Sequence, residues 1–331
     1  MDEAPRDVAA GLGSLGSVTP VRQLAEKRIA DGDAAYVADL IVALQESYRD
    51  AEVPPWQYRS AADHLLKLLA AHDVAQTLRV AGVVGQDAYV ASLLAAGHRA
   101  TELAAAFNDD ISGELRACLA QELVLRGQRV DYRPPAEHPL SVLPLTLTGI
   151  ERVDGDDMFG PWDLPSARAT SDQAPEVGET TTADEAQAIG AAVQNWVGES
   201  NGRFEARSFR LARDFDEPVD TLLAMNLDCL DGLMPRRRLG IESCPPDKAW
   251  RLLFTAAASG GAYNKGLYGA YGRLAAWRSI HAMAGEDAER GSWYLFEGRT
   301  TWFNKVAWDL GLAVITPDRR RIAVLAATDA G

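Results

Sequence analysis

Cysteine is scarce in this 331-residue chain, with Cys118, Cys229 and Cys244 the whole complement. An odd trio with no paired metal spacing excludes a disulfide scaffold and points to a reducing compartment. Histidine is nearly as thin: His64, His72, His98, His138 and His281 show neither HxxxH nor HExxH spacing. No metal site is therefore encoded locally, and no cofactor is expected. Positive charge is in deficit, with 33 Lys and Arg against 47 Asp and Glu. A net charge of -14 opposes non-specific adhesion to nucleic acid or to an anionic membrane. No apolar run approaches the roughly 20 residues that span a bilayer. The first seven residues carry Asp2, Glu3 and Asp7 in place of a basic secretory leader. These absences predict a cytoplasmic protein with neither nucleic acid nor membrane as partner.

What is present is the composition of a soluble protein, 47% hydrophobic and 24% charged. Residues 1–19 read as a flexible leader. From 20 to 130, Ala/Leu/Val-rich windows repeat at helical spacing, as in Leu65, Leu66, Leu68 and Leu69. Asp31-Gly32-Asp33, Pro54-Pro55, Gly85 and Asn108-Asp109 cut them into six or seven helices. Short connections between such helices predict antiparallel pairs stacked in a HEAT- or armadillo-like array, although no fixed period is visible.

Residues 131–181 are acidic and rich in proline, with an Asp154-Gly155-Asp156-Asp157 turn, and read as a linker holding one strand at Leu145–Thr148. From 182 to 331 the pattern changes. Phe204 to Leu211 alternates as a strand does, and helices are expected at Thr182–Glu199, Pro218–Leu230, Asp247–Ala258 and Leu267–Met283. Thr182 and Glu185 form a capping-box pattern. Two apolar stretches around Pro317-Asp318 predict a closing hairpin. The expected fold class is α+β: an all-helical N-terminal array followed by an α+β domain with a small antiparallel sheet.

The densest chemical feature runs from Ser259 to Arg273, where Gly260, Gly261, Gly266, Gly269 and Gly272 fall within thirteen residues. A Gly-rich turn entering a helix can cradle an anion on its amides. In that reading Gly260, Gly261, Tyr263, Asn264, Lys265, Tyr268, Arg273 and Trp277 line a ligand site, with Lys265 and Arg273 neutralising charge. The favoured alternative is packing: glycines at spacing three let a helix approach a neighbouring backbone while the aromatics fill a core. The stretch is no P-loop, because Leu267 stands where the lysine belongs. Gly11, Gly13 and Gly16 match GxGxxG without a preceding strand, so that match is set aside.

Five of the eight tryptophans lie between Trp250 and Trp308, which favours a core there. Arg236-Arg237-Arg238 and Arg319-Arg320-Arg321 read as solvated turns. Cys118 and Cys229 read as small buried hydrophobes, and Cys244 as a loop residue open to exposure.

Several strings carry a resemblance: Ala249-Trp250-Arg251, Gly260-Gly261-Ala-Tyr263-Asn264, Gly269-Ala-Tyr271-Gly272-Arg273, Trp277-Arg278-Ser279, Trp302-Phe303 and Trp308-Asp309. Over residues 182–331 the chain resembles an uncharacterised bacterial family, of actinomycete type, known only as a domain of unknown function. The resemblance implies no activity and transfers no catalytic residue. The residues themselves favour a non-enzymatic protein-interaction or scaffold protein with a protein partner. The alternative is a domain that binds, or acts on, a small anionic ligand through the 260–273 loop.

Overall fold

Turn and cap residues divide the helical part much as their chemistry dictates. The computed structural model describes residues 4–49, 51, 55–153, 162–169, 176–212, 218–233, 238–303 and 308–329. The Asp154–Asp157 turn and the Arg236-Arg237 pair lie outside them. Two compact units divide between Thr146 and Leu147, inside the stretch expected as linker.

The first unit holds α1 (Pro5–Gly11), α2 (Thr19–Ala30), α3 (Ala34–Tyr48), α4 (Trp56–His72), α5 (Val74–Val84), α6 (Asp87–Gly97) and α7 (Gly113–Leu125). Three of these helices start where a short polar side chain takes an orphan amide. Asp33 accepts from Tyr36 N at 3.2 Å, Asp73 from Gln76 N at 2.9 Å, and Ser112 from Leu115 N at 3.2 Å. Gly85, at φ 65°, closes α5 in the left-handed conformation that its lack of a Cβ permits. Val37, Leu40, Ile41 and Leu44 form one buried stripe along α3. Helices α2, α3 and α4 each touch both the next helix and the one after it. Helix α7 is buried on all sides, which brings Glu122 inside, where Arg126 pairs with it at 2.6 Å.

The expected leader is in part a helix. Pro5 opens α1, Val8 and Leu12 are buried one turn apart, and α1 packs on α3. The GxGxxG match thus begins on the last residue of this helix, Gly11, with no strand before it among the described residues.

The second unit contains one seven-stranded antiparallel sheet. Its strands are β1 (Ser166–Arg168), β2 (Val177–Glu179), β3 (Arg203–Leu211), β4 (Arg238–Cys244), β5 (Ser292–Glu297), β6 (Asp309–Ile315) and β7 (Arg321–Thr328). Their spatial order is β1-β4-β5-β6-β7-β3-β2. Leu145–Thr148 is no strand, since four alternating residues found no ladder partner. The 131–181 stretch instead supplies the two short outer strands, β1 and β2. The closing hairpin is present as β6 and β7, registered from Ile315↔Ile322 to Asp309↔Thr328.

Both faces of β6 and β7 are covered, which is why these strands read as continuous apolar runs. On one face Phe209, Phe296, Ile315, Ile322 and Val324 meet Leu222, Met225 and Leu227 from α10 (Pro218–Ala224) and the turn after it. The other face takes α8 (Ala183–Ile189), a 3-10 turn, α9 (Gln194–Glu199), α11 (Pro246–Ser259) and α12 (Tyr268–Ala284). The Thr182 cap forms, its hydroxyl accepting from Glu185 N at 3.2 Å. The helix expected over 182–199 breaks at Gly190, where a Cβ would stand 2.3 Å from the Phe204 ring. The helix expected over 218–230 stops at Ala224.

Glu185 ties this helical layer to the sheet, accepting from Arg321 Nη2 at 2.7 Å and from Ser208 Oγ at 2.9 Å. Burial pushes its pKa up, but Arg321 and Ser208 outweigh that and hold it below the ordinary glutamate value. A depressed folded value means that the stabilisation is complete above the unfolded pKa and is lost as pH falls through the folded one. The wild type is therefore expected to exceed Glu185→Gln in Tm above about pH 5, with the two converging below about pH 4. A constant gap across that range would contradict the assignment.

Candidate functional site

The loop between α11 and α12 holds the candidate ligand residues of the alternative reading, and its geometry answers for each residue. Gly260 ends α11 at φ 82° and turns the chain. The Asn264 side chain then closes the loop on itself: Oδ1 accepts from Gly261 N, and Nδ2 donates to the Asn195 carbonyl at 2.9 Å. The next amide, Ala262 N, donates to Asp329 Oδ2 at 2.7 Å, while Ser200 Oγ donates to Oδ1 at 3.0 Å. Asp329 is fully buried. An internal carboxylate thus occupies the position on the loop amides that an anionic ligand was expected to take.

Arg273 corrects the expectation most strongly. It is fully buried, with Nε 2.7 Å from Glu151 Oε1 and Nη2 2.9 Å from Oε2, a two-pronged pair inside the fold. Lys265 is exposed on the loop and Tyr263 is 71% exposed. Tyr268 begins α12 at φ 58°, and Trp277 stacks on His281 at 5.1 Å. The eight residues are scattered among loop, interior and solvent. The packing reading fits better. A Cβ at Gly266 would lie 1.8 Å from the Ala258 carbonyl oxygen, and one at Gly272 would lie 2.7 Å from Ala258 Cβ. The aromatic residues follow suit, with Trp250, Trp293, Phe296, Trp302 and Phe303 all buried.

Cysteine offers no nucleophile here. Burial, reinforced by Glu114, pushes the Cys118 thiol far up; burial and Glu205 do the same to Cys229. Cys244, expected in a loop, is instead the last residue of β4, buried opposite Trp293. Among the described residues no group of three or more His, Cys, Asp and Glu is placed to hold a metal, and no helix is long and apolar enough to cross a membrane.

An open groove does exist, but on another face of α12. It has a volume of about 500 Å³, with Asp184, Gln187 and Gln194 on one wall and Tyr271 and Arg278 on the other. Its floor is apolar, of Ala188, Ala191, Leu274 and Ala275. These residues recur every three or four positions on two separate helical segments. The sequence signal is therefore an ordinary amphipathic pattern, and nothing in it marks the facing wall.

A family model described as "Family of unknown function (DUF6183)" matches residues 19–331, which takes in the helical unit as well as the α+β unit. No curated protein and no solved structure matches the chain.

Proposed function

The chain belongs to this family of unknown function, and from that premise we propose that it is a non-enzymatic protein-interaction or scaffold protein of the cytoplasm. The observation that carries the reading is the occupied loop. Asp329 and Asn264 fill the amides, and Glu151 holds the Arg273 guanidinium, that an anionic substrate was to use. The groups with most chemical potential are thus spent on building the α+β unit, which suits a fixed platform. Three free, buried cysteines suit a reducing compartment.

In this proposal recognition falls to the helical array. There Trp56, the first residue of α4, is 53% exposed, a large aromatic of the kind that anchors protein interfaces. The test is affinity capture with the full chain from the cells that encode it. One partner is expected in stoichiometric amount, and Trp56→Ala is expected to weaken its binding at least tenfold, the loss of about 1.4 kcal/mol. No stoichiometric partner, combined with turnover of a metabolite by the purified chain, would overturn the reading.

A further inference from the structure

Like charges face each other at one rim of the sheet. Arg238, expected in a solvated turn, opens β4 and stands directly opposite Arg168 on the outer strand β1. Ile241 N donates to the Pro165 carbonyl, so 165↔241 and 167↔239 are the hydrogen-bonded pairs of this ladder. Arg168↔Arg238 is therefore a non-hydrogen-bonded pair, the kind in which opposed side chains approach most closely. Like charges placed in this way repel. Gly240 stands opposite Glu297, which brings the start of β4 to the end of β5, and Arg299 follows two residues on. All three arginines are exposed, and among the described residues no side chain forms a hydrogen bond or salt bridge with any of them. The sequence adds Arg236 and Arg237 directly before Arg238.

The same register turns the amides and carbonyls of Ser166 and Arg168 away from β4, toward the open side of β1. Among the described residues no hydrogen bond closes them. A charged side chain on a rim strand often serves as a guard against stray pairing. A guard needs one charge, on the rim strand itself. Here a second arginine stands on the inner strand, where it repels the first, and an anion arriving at the rim offsets that repulsion. The unpaired groups of β1 are spaced for a peptide backbone, and a net charge of -14 opposes a nucleic acid.

We propose that β1 accepts an extended acidic segment of a partner protein as an eighth strand of the sheet. The segment's backbone pairs with Ser166 and Arg168, about 4.8 Å out from β1. Side chains of a strand alternate between its faces, so every second residue of the segment lies on the face that Arg168 and Arg238 share. An acidic residue there meets the Arg168 guanidinium across the new ladder, with Arg238 as the second positive charge behind it. The recognised chemistry is thus Asp or Glu at alternate positions. This inference goes beyond the reading of the helical array: Trp56 takes no part in it, and neither surface requires the other.

The experiment titrates the full chain at low salt with a fluorescein-labelled octapeptide of alternating Thr and Glu. Beside it run a Thr/Gln version, a fully N-methylated version and an oligothymidylate of the same length. The Glu peptide is expected to bind at micromolar concentration, with the Gln and N-methylated forms weaker by about tenfold or more. Arg168→Gln and Arg238→Gln are each expected to weaken it by about tenfold, the worth of a charged hydrogen bond. Arg210→Gln on β3, five strands away, is expected to leave it unchanged. Without peptide, both rim variants are expected to melt at or above the wild-type Tm at low salt, with any difference closing at about 1 M salt. Absence of binding at millimolar concentration overturns the proposal. So does equal binding of the Gln or N-methylated peptide, tighter binding of the oligonucleotide, or wild-type affinity in both rim variants. A Tm below wild type in both would remove the repulsion on which it rests.

Discussion

Replacing Arg273 by methionine is expected to cost the α+β unit about 3–5 kcal/mol, because it leaves the Glu151 carboxylate buried without its guanidinium. The pair is sealed, with side-chain exposures of 0% and 2%. Neither solvent nor salt screens it, unlike the exposed pair Lys67–Asp63. Removing both charges with Arg273→Met and Glu151→Leu is expected to recover part of the loss. The coupling energy of the double-mutant cycle is then on the order of 1–3 kcal/mol. Urea denaturation followed by tryptophan fluorescence reads this unit well, since only Trp56 of the eight tryptophans precedes residue 147. A single variant within 1 kcal/mol of wild type, on the order of an exposed pair, would falsify the burial argument. So would additive single effects.

Gly266→Ala is expected to lower stability by about 2–4 kcal/mol through overpacking. The atom that its Cβ would meet is the backbone oxygen of Ala258 at 1.8 Å, so no rotamer change relieves the clash and α11 must move relative to α12. Gly198→Ala in α9 is the control. No atom lies within 4 Å of its Cβ position, and alanine is the better helix former there by about 1 kcal/mol. Equal Tm values for the two variants would show that the α11–α12 contact is looser than the structure has it.

Both predictions turn on contacts of different sequence range, and that range separates what was legible in the sequence from what was not. Local chemistry was readable. The Thr182 cap, the Pro317-Asp318 turn and the periodic stripes of α11 and α12 each act over a few residues, and each appears where the pattern puts it. Glycine spacing also announced close packing at Gly266 and Gly272, although not its partner, Ala258.

Contacts over longer range were hidden. Nothing near Arg273 says that its carboxylate lies at residue 151, inside the acidic, proline-rich stretch, or that Asp329 closes a loop at residue 262. In the alternative reading of this loop as an anion site, Arg273 and the loop amides were identified as donors, but Glu151, Asp329 and Asn264 of the same chain accept from them. Phe204 breaking the helix at Gly190 is an instance of the same blindness. The groove was hidden too, because each wall alone is an unremarkable helical face.

The pairing of β3 with β7 has a consequence for kinetics. It joins Arg203 to Thr328 and Arg210 to Arg321, so this pair, next to one edge of the sheet, closes a loop of more than a hundred residues. The helices of the first unit instead meet partners one or two elements away. Loop-closure entropy slows the distant contact far more than the near ones, so the two units are expected to acquire structure on separate timescales, helices well ahead of sheet. During that interval β3 lacks β7, and its Phe209 and Leu211, buried in the finished fold, are apolar surface that a chaperone can shield.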